Sequence, residues 1–259
     1  MIVTHDVGVA IRHKSIIEGV NFVAKPSELV SIAGPNGSGK TTFLRALTGE
    51  MAYSGDIMFD GNNMVSMPDW KLATRRAVLP QSTSLSFPFT VLEVVRLGLR
   101  NGMDGSHPEL LSLALAKVGL KGFEPRFYQE LSGGEKQRVQ LARVLVQVWH
   151  PVVAGDAQWL FLDEPVSALD IGHQIEVMSI AREFANAGGG VIAVMHDLNL
   201  AAMYSDSIAL FEKGRLLIQD SPPVVMTNEN LTRAYQWPIQ VNQLPTAPMS
   251  FVLPQASAK

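Results

Sequence analysis

The sequence predicts an α/β fold, a mixed and largely parallel sheet with helices against it and a helical block inserted into it, on three observations. Leu29–Ala33 is an unbroken apolar run that ends in a glycine-rich turn, after which Phe43, Leu44, Leu47 and Met51 recur on one helical face. Apolar runs return at Trp159–Asp163 and at 191–195 with a helix over 174–187 between them, the β-α-β rhythm that makes strands parallel. From about residue 90 to residue 148 the period is helical instead, with Val91, Val94 and Val95, then Leu110, Leu111, Ala114, Leu115 and Val118 as faces.

The remaining elements follow in order. Residues 1–33 alternate short β-like runs with turns; 55–61 reads as a strand closed by the Asp60-Gly61 turn, so an antiparallel β subdomain is expected beside the parallel sheet. Residues 77–81 read as a strand ending in the polar Gln81. A hairpin is expected over 208–211 and 216–218, turning at Lys213-Gly214. After Asp220 prolines crowd the chain (Pro222, Pro223, Pro238, Pro245, Pro248, Pro254), which reads as an appendage or loose tail. The expected organisation is one domain over 1–220, its helical subdomain inserted at about 82–155, and a C-terminal extension over 221–259.

Composition narrows the function. With 21 basic and 24 acidic residues in 259, the net charge is −3, not the basic footprint of a nucleic-acid binder. No apolar run approaches the roughly 20 residues a membrane helix needs. The start, MIVTHDVGVAIRHK, is broken by Asp6 and Arg12 and lacks a signal-peptide core, so a cytoplasmic protein is expected. The absence of cysteine excludes disulfides, thiolate nucleophiles, zinc fingers and iron–sulfur clusters.

The turn after Leu29–Ala33 is Gly34-Pro35-Asn36-Gly37-Ser38-Gly39-Lys40-Thr41, followed by Thr42. It fits G-x-x-x-x-G-K-[ST] in its confirming context, a strand before and a helix after, and defines a P-loop nucleotide-binding core. Glycines let backbone N–H groups turn inward around phosphate oxygens, and the helix that starts near Lys40 adds the positive end of its dipole. Lys40 supplies a point charge to the β and γ phosphates, and the Thr41 hydroxyl can coordinate Mg²⁺.

Such a loop serves kinases, GTPases and ATPases alike. The strand Trp159–Asp163 discriminates, because it delivers Asp163 to the sheet edge as a carboxylate for the Mg²⁺ shell and Glu164 as a group to orient or deprotonate water. An acidic pair at this spacing favours hydrolysis over transfer to a second substrate.

Leu131-Ser-Gly-Gly-Glu135-Lys-Gln-Arg138 precedes a helix through Leu141, Ala142, Leu145 and Val148. Ser132 and Glu135 have capping-box spacing, and Gly133 and Gly134 expose the first N–H groups of that helix. Together with the P-loop, the Asp163-Glu164 pair and His196, this stretch resembles the signature set of ATP-binding cassette (ABC) ATPases, over about residues 3–220. The resemblance implies that Gln81 touches the metal and the attacking water. It implies that Ser132 and Gly134 bind the γ-phosphate held by a second subunit, that Ser167-Ala-Leu-Asp170 crosses a dimer interface, and that His196 contacts the γ-phosphate. It further implies a head-to-tail homodimer closing on two ATP molecules. The chain departs from the family at the adenine end, where Ile11 stands at the usual aromatic position, with Arg12 and His13 adjacent. Arg12 or His13 stacking on the base would contribute about 0.5–2 kcal/mol.

Pro88-Phe-Thr-Val-Leu-Glu-Val-Val-Arg-Leu-Gly98 is similar to the ATPases of metal-chelate importers, and the Trp-His-Pro-containing insertion between Val148 and Trp159 resembles their haem-import branch. The expectation is haemin import, with iron–siderophore or cobalamin import as alternatives. It brings with it two transmembrane permease subunits, indirectly a periplasmic solute-binding protein, and a place on the cytoplasmic face of the inner membrane. His150 in the insertion reads as a loop residue and not a haem ligand. A soluble ABC ATPase acting on nucleic acid or ribosomes would carry a coiled-coil insertion, a second cassette or a basic surface; none is visible. An exporter motor is disfavoured because exporters commonly fuse the cassette to a membrane domain.

Overall fold

A computed structural model describes residues 1–82, 85, 87–99, 108–244, 250 and 252. Two compact units divide the chain: Met1–Ala24 with Glu28–Met64 and Val194–Lys259, and Lys25–Ser27 with Val65–Ala193.

The first unit begins with β1 (Ile2–Ile11) and β2 (Lys14–Ala24), antiparallel in the register Ile2 to Ala24 and Thr4 to Phe22. β3 (Leu29–Ala33) is buried at every position. It leads through the glycine loop into α1 (Lys40–Leu47), whose Phe43 packs edge-on against Phe22, ring centroids 5.4 Å apart, and lies 5.2 Å from Phe211. Met51 is not on this helix, contrary to the helical period. Gly49, at φ 67°, ends it in a Schellman motif, with Glu50 N–H donating to Arg45 O and Gly49 N–H to Ala46 O. β4 (Ser54–Phe59) and the short β5 (Asn62–Asn63) complete the antiparallel sheet β2-β1-β4-β5, with Asp60 and Gly61 at positive φ in the expected turn.

The second unit opens with α2 (Asp69–Ala73) and β6 (Arg76–Leu79). Its helices are α3 (Val91–Arg96), α4 (Pro108–Lys117) and α5 (Gly133–Gln147), which bring the apolar faces read from the sequence together: Val91, Val94, Val95, Leu111, Ala114, Leu115, Leu141 and Leu145 are all buried. The insertion after α5 forms a small hairpin, β7 (Val152–Val153) and β8 (Asp156–Ala157). β9 (Trp159–Asp163) pairs parallel with β6, Leu79 beside Leu162. α6 (Ile171–Asn186) starts three residues before the sequence reading because the Asp170 carboxylate accepts the His173 N–H and caps it. β10 (Gly190–Val194) follows β9 in strand order.

The chain returns to the first unit with the Met195 N–H bonded to Ile32 O of β3, then α7 (Leu198–Tyr204), β11 (Ser207–Glu212) and β12 (Arg215–Asp220). β11 is parallel to β3 and antiparallel to β12, and their hairpin turns at Lys213 and Gly214 as expected. The segment after Asp220 is not loose over its first part. α8 (Pro222–Val225) uses Pro222 as its first helical residue, and α9 (Asn228–Tyr235) is capped by Thr227. Both pack on β11, burying Val225, Leu231 and Ala234. Proline here starts a helix; Pro245, Pro248 and Pro254 lie outside the described residues. Among the described residues no helix is long and apolar enough to cross a membrane.

Candidate functional site

In the first unit the phosphate loop is built by glycine conformation. Gly34, at φ 141°, lies so close to β11 that an added methyl group would collide with the Phe211 carbonyl, and Gly39, at φ 98°, sits against Ile17. Neither site admits a side chain, so the backbone alone forms this wall. Lys40 is only 5% exposed, and its ammonium donates to the Gly34 and Pro35 carbonyls at 2.8 and 3.0 Å. A buried cation held on two carbonyls at the head of a helix is ready to accept an anionic ligand. The Ser38 hydroxyl is buried without a hydrogen-bond partner, a cost a phosphate oxygen would relieve. Pro35 to Ser38 also border a cleft of about 220 Å³ whose opposite side is Ala234, Tyr235 and Gln236. This neighbour in the C-terminal extension had no signal in the sequence. Thr41 and Thr42 occupy the first turn of α1, half-buried. His196 follows the Met195 to Ile32 bond directly, exposed, at the end of the strand segment beside β3. At the β1–β2 turn Ile11 is 43% exposed and Arg12 takes φ 50°.

In the second unit β9 carries Asp163 at its end, 3% exposed, and Glu164 immediately after it at φ 52°. A left-handed backbone at a non-glycine residue costs about 1–2 kcal/mol and persists only where surroundings enforce it. The Glu164 carbonyl accepts from Gln137 Nε2 at 2.9 Å and from Ser167 Oγ at 3.2 Å. Gln137 Oε1 in turn accepts the Ala168 N–H at 3.3 Å. β6 ends at Leu79, before Pro80, so Gln81 stands exposed two residues beyond the strand and not at its end as the sequence reading had it.

At the head of α5 the capping box forms: Ser132 Oγ accepts the Glu135 N–H at 3.3 Å, and the Glu135 carboxylate accepts the Ser132 N–H at 2.8 Å. That second bond, then the Ser132 side chain, holds the Glu135 carboxyl below its ordinary range. Asp170 is lowered likewise, chiefly by the His173 N–H and then by the His173 ring. Gly134 faces the 167–170 turn, where a Cβ would lie 3.1 Å from Leu169 Cδ2 and 3.2 Å from Ala168 O. The second unit thus brings Glu164 and the 167–170 turn against Gln137 and Gly134, on the first turns of the helix that Ser132 caps. Sequence reading missed Gln137 and also Gln174, which donates to Val166 O and Leu169 O at 3.3 and 3.0 Å. The KQR segment that carries Gln137 offered the only signal.

One unit offers a phosphate-holding loop and the other an acid on an enforced turn beside a capped helix N-terminus. Each is a feature that nucleotide-hydrolysing ATPase domains carry. The family model described as ABC transporter matches residues 17–167, and the chain belongs to that family of ATP-binding domains. The chain is 55% identical to the hemin import ATP-binding protein HmuV of Jannaschia sp. (strain CCS1), over 100% of this chain and 96% of that one. It is also 55% identical to the HmuV protein of Mesorhizobium japonicum, over 99% of each. Among solved structures it resembles a bacterial Atm1-family ABC exporter with ATP bound, at TM-score 0.78 and 26% identity over 91% of this chain and 41% of that one. A dimeric ATP-binding cassette in a post-hydrolysis state with ADP and Pi aligns at TM-score 0.74 and 26% identity, over 86% of this chain and 99% of that one.

Proposed function

We propose that the chain is the ATP-hydrolysing motor subunit of a haemin importer. The observation that carries this reading is the full-length similarity to hemin import ATP-binding proteins, joined to a phosphate loop whose buried Ser38 hydroxyl lacks a partner. ATP is the substrate. The loop from Gly34 to Thr42 binds its phosphates through backbone N–H groups and Lys40. Mg²⁺ suits the oxygen donors available, the Thr41 hydroxyl, the Asp163 carboxylate and the Gln81 amide, and would supply charge neutralisation on the phosphates. Glu164 orients and deprotonates the attacking water, His196 contacts the γ-phosphate, and Arg12 or His13 takes the place of an aromatic ring against adenine.

Two copies act head to tail, Ser132, Gly133 and Gly134 of each closing on the phosphate held by the other. The membrane partners are two permease subunits on the inner face of the cell membrane, fed by a periplasmic solute-binding protein; nucleic acid has no part. The test is ATPase activity in proteoliposomes holding the permease pair, with the solute-binding protein and candidate solutes added. Haemin is expected to stimulate hydrolysis several-fold over ferric siderophore or cobalamin; stimulation by either of those and not by haemin would overturn the assignment.

A further inference from the structure

The left-handed backbone at Glu164 needs an enforcer, and the second unit contains one that the motifs leave without a role. Gln137 lies on the first turns of α5, five residues after the capping Ser132. Its side-chain amide uses both ends on one short stretch of chain: Nε2 donates to the Glu164 carbonyl at 2.9 Å, and Oε1 accepts the Ala168 N–H at 3.3 Å. A side-chain amide is a neutral group that can do both at once, because it carries a donor and an acceptor a fixed distance apart. Ser167 N–H and Oγ also donate to the Glu164 carbonyl, at 3.4 and 3.2 Å, and Gln174 Nε2 holds the Val166 carbonyl of the same turn at 3.3 Å. The close approach of Gly134 to Leu169 and Ala168 keeps α5 and the turn in register.

We infer that Gln137 is a positioning residue. It clamps the turn that follows β9, fixes the direction in which Glu164 presents its carboxylate, and makes that direction depend on where the head of α5 stands. The inference rests on the reading of Glu164 as the group that orients water. A movement of the Ser132 end of α5 would reach the acid through this amide, beside the Gly134 contact, so hydrolysis, and not nucleotide affinity, is what the clamp governs.

Two variants of the full chain test it. Gln137→Met keeps length and shape and removes both bonds; Gln137→Glu keeps an acceptor for Ala168 but has no donor for the Glu164 carbonyl unless its carboxyl is protonated. Expected for Gln137→Met is a kcat at least about tenfold lower, with ATP affinity, read by titration of a fluorescent ATP analogue, within about twofold of the parent and an unchanged melting temperature. Expected for Gln137→Glu is a similar loss at neutral pH that shrinks relative to the parent as pH falls and the donor is restored. An unchanged kcat in Gln137→Met, a parallel loss of affinity and melting temperature, or a Gln137→Glu profile parallel to the parent would each overturn the inference. Glu164→Gln, assayed alongside, separates the two levels: if it turns over normally, the reading of Glu164 itself fails. If it is inactive while Gln137→Met is normal, only the clamp fails.

Discussion

The two helix N-termini that the proposed function uses, at the heads of α1 and α5, are built differently. At the head of α1 the backbone is carried by glycines at positive φ, the Ser38 hydroxyl is unpartnered, and the cation of Lys40 sits buried on carbonyls. At the head of α5 the cap is already satisfied by Ser132 and Glu135, no lysine is buried there, and Gln137 reaches an acid at positive φ, Glu164. The first end keeps a buried hydroxyl without a partner beside a buried cation; the second has already satisfied its own cap. In the proposed function the first is the holding element and the second the triggering element of a motor that acts as two copies.

That contrast can be broken from either side. The largest effect is expected from Ser132→Arg, whose bulk and charge at the head of α5 should abolish turnover while ATP binding to the isolated monomer stays intact; loss of monomer binding would mean that the second end also holds nucleotide. Lys40→Ala should act oppositely, weakening ATP binding by about ten- to a hundredfold, the worth of a charged hydrogen bond, in an equilibrium titration. Smallest is the cap itself: Ser132→Ala should lower unfolding stability by about 1 kcal/mol in a denaturant titration. The Glu135 half of the box has a pH signature. Its carboxyl is depressed in the folded chain, so its contribution is complete above the unfolded pKa and is lost as pH falls through the folded one. The stability difference between the parent and Glu135→Ala should therefore vanish in acid and be full at neutral pH.

The holding element was legible in the sequence because its chemistry is backbone chemistry: glycine spacing, a lysine and a flanking strand and helix are local, and Gly34, Gly39 and Lys40 stand as the pattern requires. The capping box at Ser132 and Glu135 was legible for the same reason. The triggering element was only half legible. Asp163 and Glu164 announce themselves as carboxylates after an apolar strand, but the left-handed turn at Glu164 and its clamp by Gln137 join residues 27 positions apart. No local pattern encodes such a contact. The C-terminal segment misled for a related reason. Prolines read as breakers, yet Pro222 opens a helix, and the apolar residues that dock α8 and α9 on β11 are too sparse for a periodicity to show.

The division of labour is tested most directly in Glu164→Gln, by measuring ATP binding and single-turnover hydrolysis on the same preparation. The account predicts affinity within about twofold of the parent, hydrolysis slowed by about 10²- to 10⁴-fold, and an ATP-stabilised dimer on gel filtration. Hydrolysis at the parent rate, or an affinity that falls together with it, would contradict the account.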